Sequence, residues 1–151
     1  MNVRFAVVAV SLLFVLPAAA ERIALDAAGL NAESTHVITG RVKAVYSRDV
    51  ETALYGAGTI ETQSVLEIEV EAVEKGDGIK PKDIIYARCW NLKRRGKDGL
   101  RPGPSGHGPV AEGAQVRAYL ARGKYGPTGQ NDNGFAVVYP NAIETPPQPK
   151  K

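Results

Sequence analysis

From Thr59 to Val73 (TIETQSVLEIEVEAV) the side chains alternate with a period of two over nearly the whole stretch. Ile60, Thr62, Ser64, Leu66, Ile68, Val70 and Ala72 fall on one side, and Glu61, Gln63, Val65, Glu67, Glu69 and Glu71 on the other. Successive strand side chains point to opposite faces, so the pattern predicts a long strand with one face in a core and its glutamates in water. A strand of 15 residues is expected to bend and to pair with different neighbours along its two halves. The same period marks Thr35 to Arg48, where Gly40 interrupts the pattern. A glycine inside a strand suits sharp coiling or the close approach of another backbone. Lys82 to Trp90, Ala114 to Arg122 and Phe135 to Tyr139 complete a set of five predicted strands.

The segments between them are turn-rich. Asp49 to Gly58 joins the first two strands, and Glu74 to Pro81, with two glycines and a proline, reverses the chain. Because that link is short, the second and third strands should be antiparallel neighbours. Gly123 to Gly134 reads as a hairpin loop ending in Asn133-Gly134. Residues 21 to 34 form a lead-in in which Ile23, Ala24, Ala27 and Ala28 suit a short helix ended by Gly29. Asn91 to Gly113 has six glycines, three prolines and no alternating apolar run, which predicts a long loop. Residues 145 to 151 are proline-rich and charged and read as a disordered tail.

Met1 to Ala20 has the order of a secretory signal: Arg4, an apolar run from Phe5 to Leu16, then small residues up to a cut after Ala20. The apolar run is short for a transmembrane anchor. No cysteine follows it, so no lipid is expected at that end. An exported chain, periplasmic or secreted, would then keep 131 residues, enough for one domain with one core. It would carry eighteen Lys and Arg against sixteen Asp and Glu, a balance that points to neither nucleic acid nor a membrane surface. The distribution is uneven. Residues 61 to 77 hold six acids and one base, and residues 80 to 101 hold eight bases and two acids, so opposite-signed neighbours are expected to pair.

Candidate chemistry is sparse. Cys89 is the only cysteine, which rules out an internal disulfide and fits a small buried hydrophobe better than a nucleophile. With one cysteine and two histidines, His36 and His107, no structural zinc set can be built from N and S ligands alone, and no cofactor is expected. His36, at a strand start, reads as a capping or edge residue. Ser105 and His107 lie two apart in a Gly/Pro loop that does not fix a nucleophile against a base. Asp132 and Asn133 lack the spaced acids of a calcium loop. Two features suit a ligand instead. Lys93, Arg94, Arg95 and Lys97 form a basic cluster able to meet a polyanion, and Tyr86, Arg88 and Trp90 share one strand face. Tyr86 and Trp90 could equally be core residues.

Five antiparallel strands, the first two long, make a small closed barrel the economical all-β architecture, because closure removes exposed edges. Ile38-Thr39-Gly40-Arg41-Val42, then Val70-Glu71-Ala72-Val73-Glu74-Lys75-Gly76-Asp77, then Glu112 to Leu120 (EGAQVRAYL) together resemble the OB-fold barrel of the netrin-module and tissue-inhibitor-of-metalloproteinase type and its uncharacterised exported bacterial relatives. The resemblance covers residues 36 to 122 and implies a five-stranded OB-like barrel. Inhibitors of that type carry a zinc-chelating cysteine at the mature N-terminus and several disulfides. This chain has Cys89 alone, so their inhibitory mechanism does not carry over.

The expectation is therefore a non-catalytic exported binding module whose partner is another exported protein, a glycan or an anionic surface polymer, with Tyr86, Arg88, Trp90, Lys93, Arg94, Arg95 and Lys97 as contacts. No nucleic acid and no stable membrane insertion after signal cleavage are expected. The alternatives are a small exported hydrolase using residues between 89 and 107, and a purely structural envelope component.

Overall fold

The structure is a computed structural model and describes residues 24–52, 57–94, 106–122 and 134–145. The signal segment, Arg95, Lys97, Ser105, the Asp132-Asn133 turn and the tail from residue 146 on lie outside the described residues. The elements are α1 (Ala27–Glu33), β1 (His36–Thr52), β2 (Thr59–Lys75), β3 (Ile84–Arg94), β4 (Gln115–Arg122), β5 (Phe135–Val137) and β6 (Ile143–Glu144). They form one six-stranded sheet in the order β1-β2-β3-β5-β4-β6, and β1 also pairs with β4. The extra pairing closes five of the strands into a ring.

The sheet is mixed, not purely antiparallel as the sequence suggested: β3 and β5 run parallel at Ala87↔Phe135 and Arg88↔Ala136. The reason is topological. Strands that alternate in direction around a closed ring must be even in number, so a ring of five forces one parallel pair. The sixth strand, β6, adds to β4 through Arg117↔Glu144 and Ala118↔Ile143, in a segment that the sequence pattern left at the edge of the domain.

The ring interior is lined by Ile38, Val42, Leu66, Ile68, Val70, Ala87, Val116, Ala118 and Leu120, all buried. Gly40 sits where the sequence suggested that a backbone comes close: a Cβ there would lie 2.5 Å from the Glu69 carbonyl oxygen. His36 is not at a free edge: it is buried and stands opposite Leu120 of β4, with Nδ1 2.9 Å from Thr35 Oγ1 and Nε2 3.0 Å from the Asp77 carbonyl.

Several boundaries move. Gly29 does not end α1. It lies in the first turn, where its amide donates to the Asp26 side chain that caps the helix. The other end of α1 is held by Lys75, whose Nζ donates to the carbonyls of Asn31 and Ser34. β3 starts at Ile84, not Lys82, because Lys82 adopts a left-handed φ of 75°. β1 and β3 each run four residues beyond their expected ends, to Thr52 and Arg94, so part of both expected loops is strand. The result is a three-stranded arm. β1 from Tyr46, β2 up to Val65 and β3 from Cys89 continue beyond the stretches that pair with β4 and β5.

Candidate binding face

The arm owes its outer face to a bulge. In the lower half of β1, Ile38 and Val42 point into the ring. The β1–β2 register then shifts between Val42 and Ala44, with Val42 opposite Ile68 and Val45 opposite Leu66. One extra residue reverses the facing of everything after it, so Val45 turns to the core and Tyr46 turns out, 56% exposed. Simple alternation along β1 would put Tyr46 in one row with Ile38 and Val42.

The pairing aligns the outer residues in rows across the three strands. Ala44 stands opposite Glu67 and Glu67 opposite Tyr86; Tyr46 opposite Val65 and Val65 opposite Arg88; Arg48 opposite Gln63 and Gln63 opposite Trp90. Tyr86 is 50% exposed and Ile84, two residues before it, 45%. Trp90 shares their face and is half-buried, so neither Tyr86 nor Trp90 belongs to the ring interior. Glu67, between the two tyrosines, accepts a 2.9 Å hydrogen bond from Tyr46 Oη, and that carboxylate pushes the phenol pKa up. Arg48 donates to Gln63 Oε1. The face thus presents aromatic rings on β1 and β3, with an acid, an amide and guanidinium groups among them.

The residues proposed from sequence separate. Tyr86, Arg88 and Trp90 follow one another on the outer face of β3, whereas the register shift beside Glu61 sets Arg94 opposite Ile60, out of that row. Lys93 lies on the opposite face, in an ion pair with Asp49, which also accepts from Thr62 Oγ1 at 2.8 Å. These hydrogen bonds hold the Asp49 carboxyl below its usual pKa. Arg94 Nε donates to the Gly58 carbonyl at the arm's tip. Sequence reasoning missed Tyr46, Arg48, Glu67 and Ile84. The first two depended on the bulge, while Glu67 was legible as a water-facing residue of β2 without the tyrosines beside it.

The expected charge pairing also changes. Among the described residues, the β2 acids meet bases on β1 and β4 instead of the basic run after Lys80: Lys43 with Glu69, Arg41 with Glu71, and Arg117 with Glu74. Strand pairing brings those bases within reach. Not every β2 glutamate faces water, either. Glu61 is buried, its cross-strand neighbours are Val50 and Leu92, and burial raises its pKa. The β2–β3 register shifts beside it, between Ile60 and Glu61.

Of the groups that a hydrolase would use, Cys89 and His107 lie among the described residues. Burial pushes the Cys89 thiol up to about 11, away from a thiolate at neutral pH. The His107 amide donates to the Trp90 carbonyl at 2.8 Å, and its Nδ1 lies 2.9 Å from that oxygen and 3.2 Å from the Trp90 amide nitrogen. Burial lowers the imidazole pKa, although the main chains of Trp90 and Tyr139 favour the charged ring. Nε2 is buried and makes no hydrogen bond. Gly106, which allows this contact, has no room for a side chain: a Cβ would lie 2.3 Å from the Trp90 oxygen. No group of three or more His, Cys, Asp or Glu able to hold a metal occurs among the described residues.

Comparison of the chain with protein-family models, with curated proteins and with solved structures finds no match in any of the three.

Proposed function

We propose that this chain is an exported, non-catalytic binding module built on an OB-like barrel, and that the outer face of β1, β2 and β3 is its binding surface. The barrel reading is supported by the ring order β1-β2-β3-β5-β4, with β1 shared between β2 and β4 and with β3 parallel to β5. The relationship to the netrin-module and metalloproteinase-inhibitor type rests on the motifs quoted above. Export rests on the order of charged, apolar and small residues before Glu21.

One observation carries the binding reading. The large apolar side chains exposed among the described residues, Tyr46, Ile84 and Tyr86, all lie on this face. Clustered exposed apolar groups rimmed by polar ones mark interaction surfaces, whereas single ones need no explanation. The partner is an exported protein or an anionic surface polymer. The test follows backbone amide shifts of residues 21–151 during titration with neutral glycans, a sulfated polyanion and extended peptides. Shifts should gather on Tyr46, Tyr86 and their neighbours, and Tyr46→Ala with Tyr86→Ala should abolish binding at unchanged thermal midpoint. Ligand shifts confined to other surfaces, or undiminished binding by the double variant, would refute the assignment.

A further inference from the structure

The two edges of the arm differ. On the β3 side, Asn91 bridges to Gly106 and the His107 amide bonds the Trp90 carbonyl, so a further stretch of chain lies along that edge. On the β1 side the cover stops early. Val42 exchanges hydrogen bonds with Gly113 and Ala114, the Val45 amide donates to Glu112 Oε1, and from Tyr46 to Glu51 β1 pairs, among the described residues, with β2 alone. Tyr46, Ser47, Arg48, Asp49 and Glu51 are all exposed. Along such an edge alternate residues turn their N–H and C=O away from the sheet.

Natural strands protect long edges with charged side chains, lysine above all, with proline or with bulges. This segment, YSRDVE, has no lysine or proline, its charges Arg48, Asp49 and Glu51 are of mixed sign, and the bulges of β1 all lie before Ala44. A second copy is a poor occupant. In antiparallel pairing about a two-fold axis, facing residues share a sheet face, so the axis must pass through one residue. An axis at Arg48 or Asp49 sets like charges directly opposite, and one at Val50 sets Asp49 against Glu51. An axis at Ser47 pairs only about three residues before it meets the cover at Glu112 to Ala114.

We propose that the edge from Tyr46 to Glu51 takes up an extended segment of another exported protein as an added antiparallel strand, with an acidic residue opposite Arg48 and apolar or β-branched residues two places to either side. This rests on the binding-module reading and names the partner. Main-chain hydrogen bonds supply the affinity of such an addition and alternate side chains its specificity. On the outer face the added strand sets its alternate residues against Tyr46, Arg48 and Val50. Tyr46 takes an apolar or aromatic neighbour, Arg48 a carboxylate and Val50 a β-branched side chain. Asp49, on the other face, is already satisfied by Lys93 and Thr62 and makes no demand on the strand.

The test uses the full mature chain and three blocked nonapeptides of alternating Val and Thr with Glu, Ser or Lys at the centre. The Glu peptide should bind best and slow hydrogen exchange of amides between Tyr46 and Glu51. Arg48→Glu should weaken it roughly five- to tenfold and move the preference to the Lys peptide. The same peptide N-methylated at alternate residues should lose binding in the register whose N–H groups face β1. Shifts on Tyr86 and Trp90 without edge protection would overturn strand addition and leave the binding face standing. Edge protection that rises with protein concentration in the absence of peptide would assign the edge to a second copy and overturn the proposal. Failure of all three peptides would overturn it as well, and the binding-module reading would then stand or fall on the glycan and polyanion titrations.

Discussion

β1 lives in two environments. From Val37 to Arg41 it is paired on both sides, with β2 and with β4, and its side chains include Val37 and Ile38, which are almost wholly buried. From Tyr46 to Thr52 it pairs with β2, and most of its side chains are exposed. The first half is held by apolar burial and by a ladder closed in both directions. The second is held by one ladder and by polar cross-strand contacts such as Ser47 with Ser64 and Arg48 with Gln63. Stability is therefore concentrated in the ring, and the arm contributes less to it.

That contrast can be broken by substitution, and the largest effect belongs to the ring. Ile68→Ala removes a side chain with no exposure from the interior and should cost about 2–5 kcal/mol in denaturant unfolding. Val65→Ala, three residues earlier on the half-buried outer face of the arm, should cost well under half as much. Equal losses would show that the arm is as integral to the fold as the ring. Gly40→Ala comes next, at about 1–3 kcal/mol, since its Cβ would drive into the Glu69 backbone and Ile68.

Smaller effects come from titration where arm and ring meet. A thiol raised by burial favours the fold fully below its unfolded pKa and loses that contribution as the pH rises. For Cys89 the loss should run from about 8.5 through about 11, and Cys89→Ala should flatten the alkaline limb of the stability profile. His107 works in the opposite direction. Its lowered pKa means that the unfolded chain takes the proton first, so stability is complete above about 6.5 and falls as the pH drops toward the folded value. His107→Gln should reduce that acid slope, and an unchanged slope would mean that the ring is solvated. The least effect is expected from the exposed pair at the arm: Lys93→Met should leave the unfolding midpoint unmoved.

Much of the ring was legible in the order of residues. Alternation located β1 to β5, the turn residues after Glu74 gave the antiparallel β2–β3 pair, and Gly40 announced a close backbone approach that a Cβ would block. These features are local: each depends on a period of two or on the conformational needs of a few neighbouring residues. That Tyr86, Arg88 and Trp90 share one face was legible for the same reason, but that this face is the outer one was not.

Other features were settled by tertiary structure. The bulge after Val42 turned Tyr46 outward, and no local property of Lys43 or Ala44 signals it, because a register shift is a relation between two strands. Glu61 reads as a water-facing glutamate and is buried between Val50 and Leu92, which only pairing brings to it. The parallel β3–β5 contact and the addition of β6 to β4 follow from closing an odd-numbered ring and from where the chain returns after β5. The sequence by itself thus determined five of the strands and the alternation within each. Which faces are covered, and which edge stays open, was decided by pairing between residues far apart in the chain.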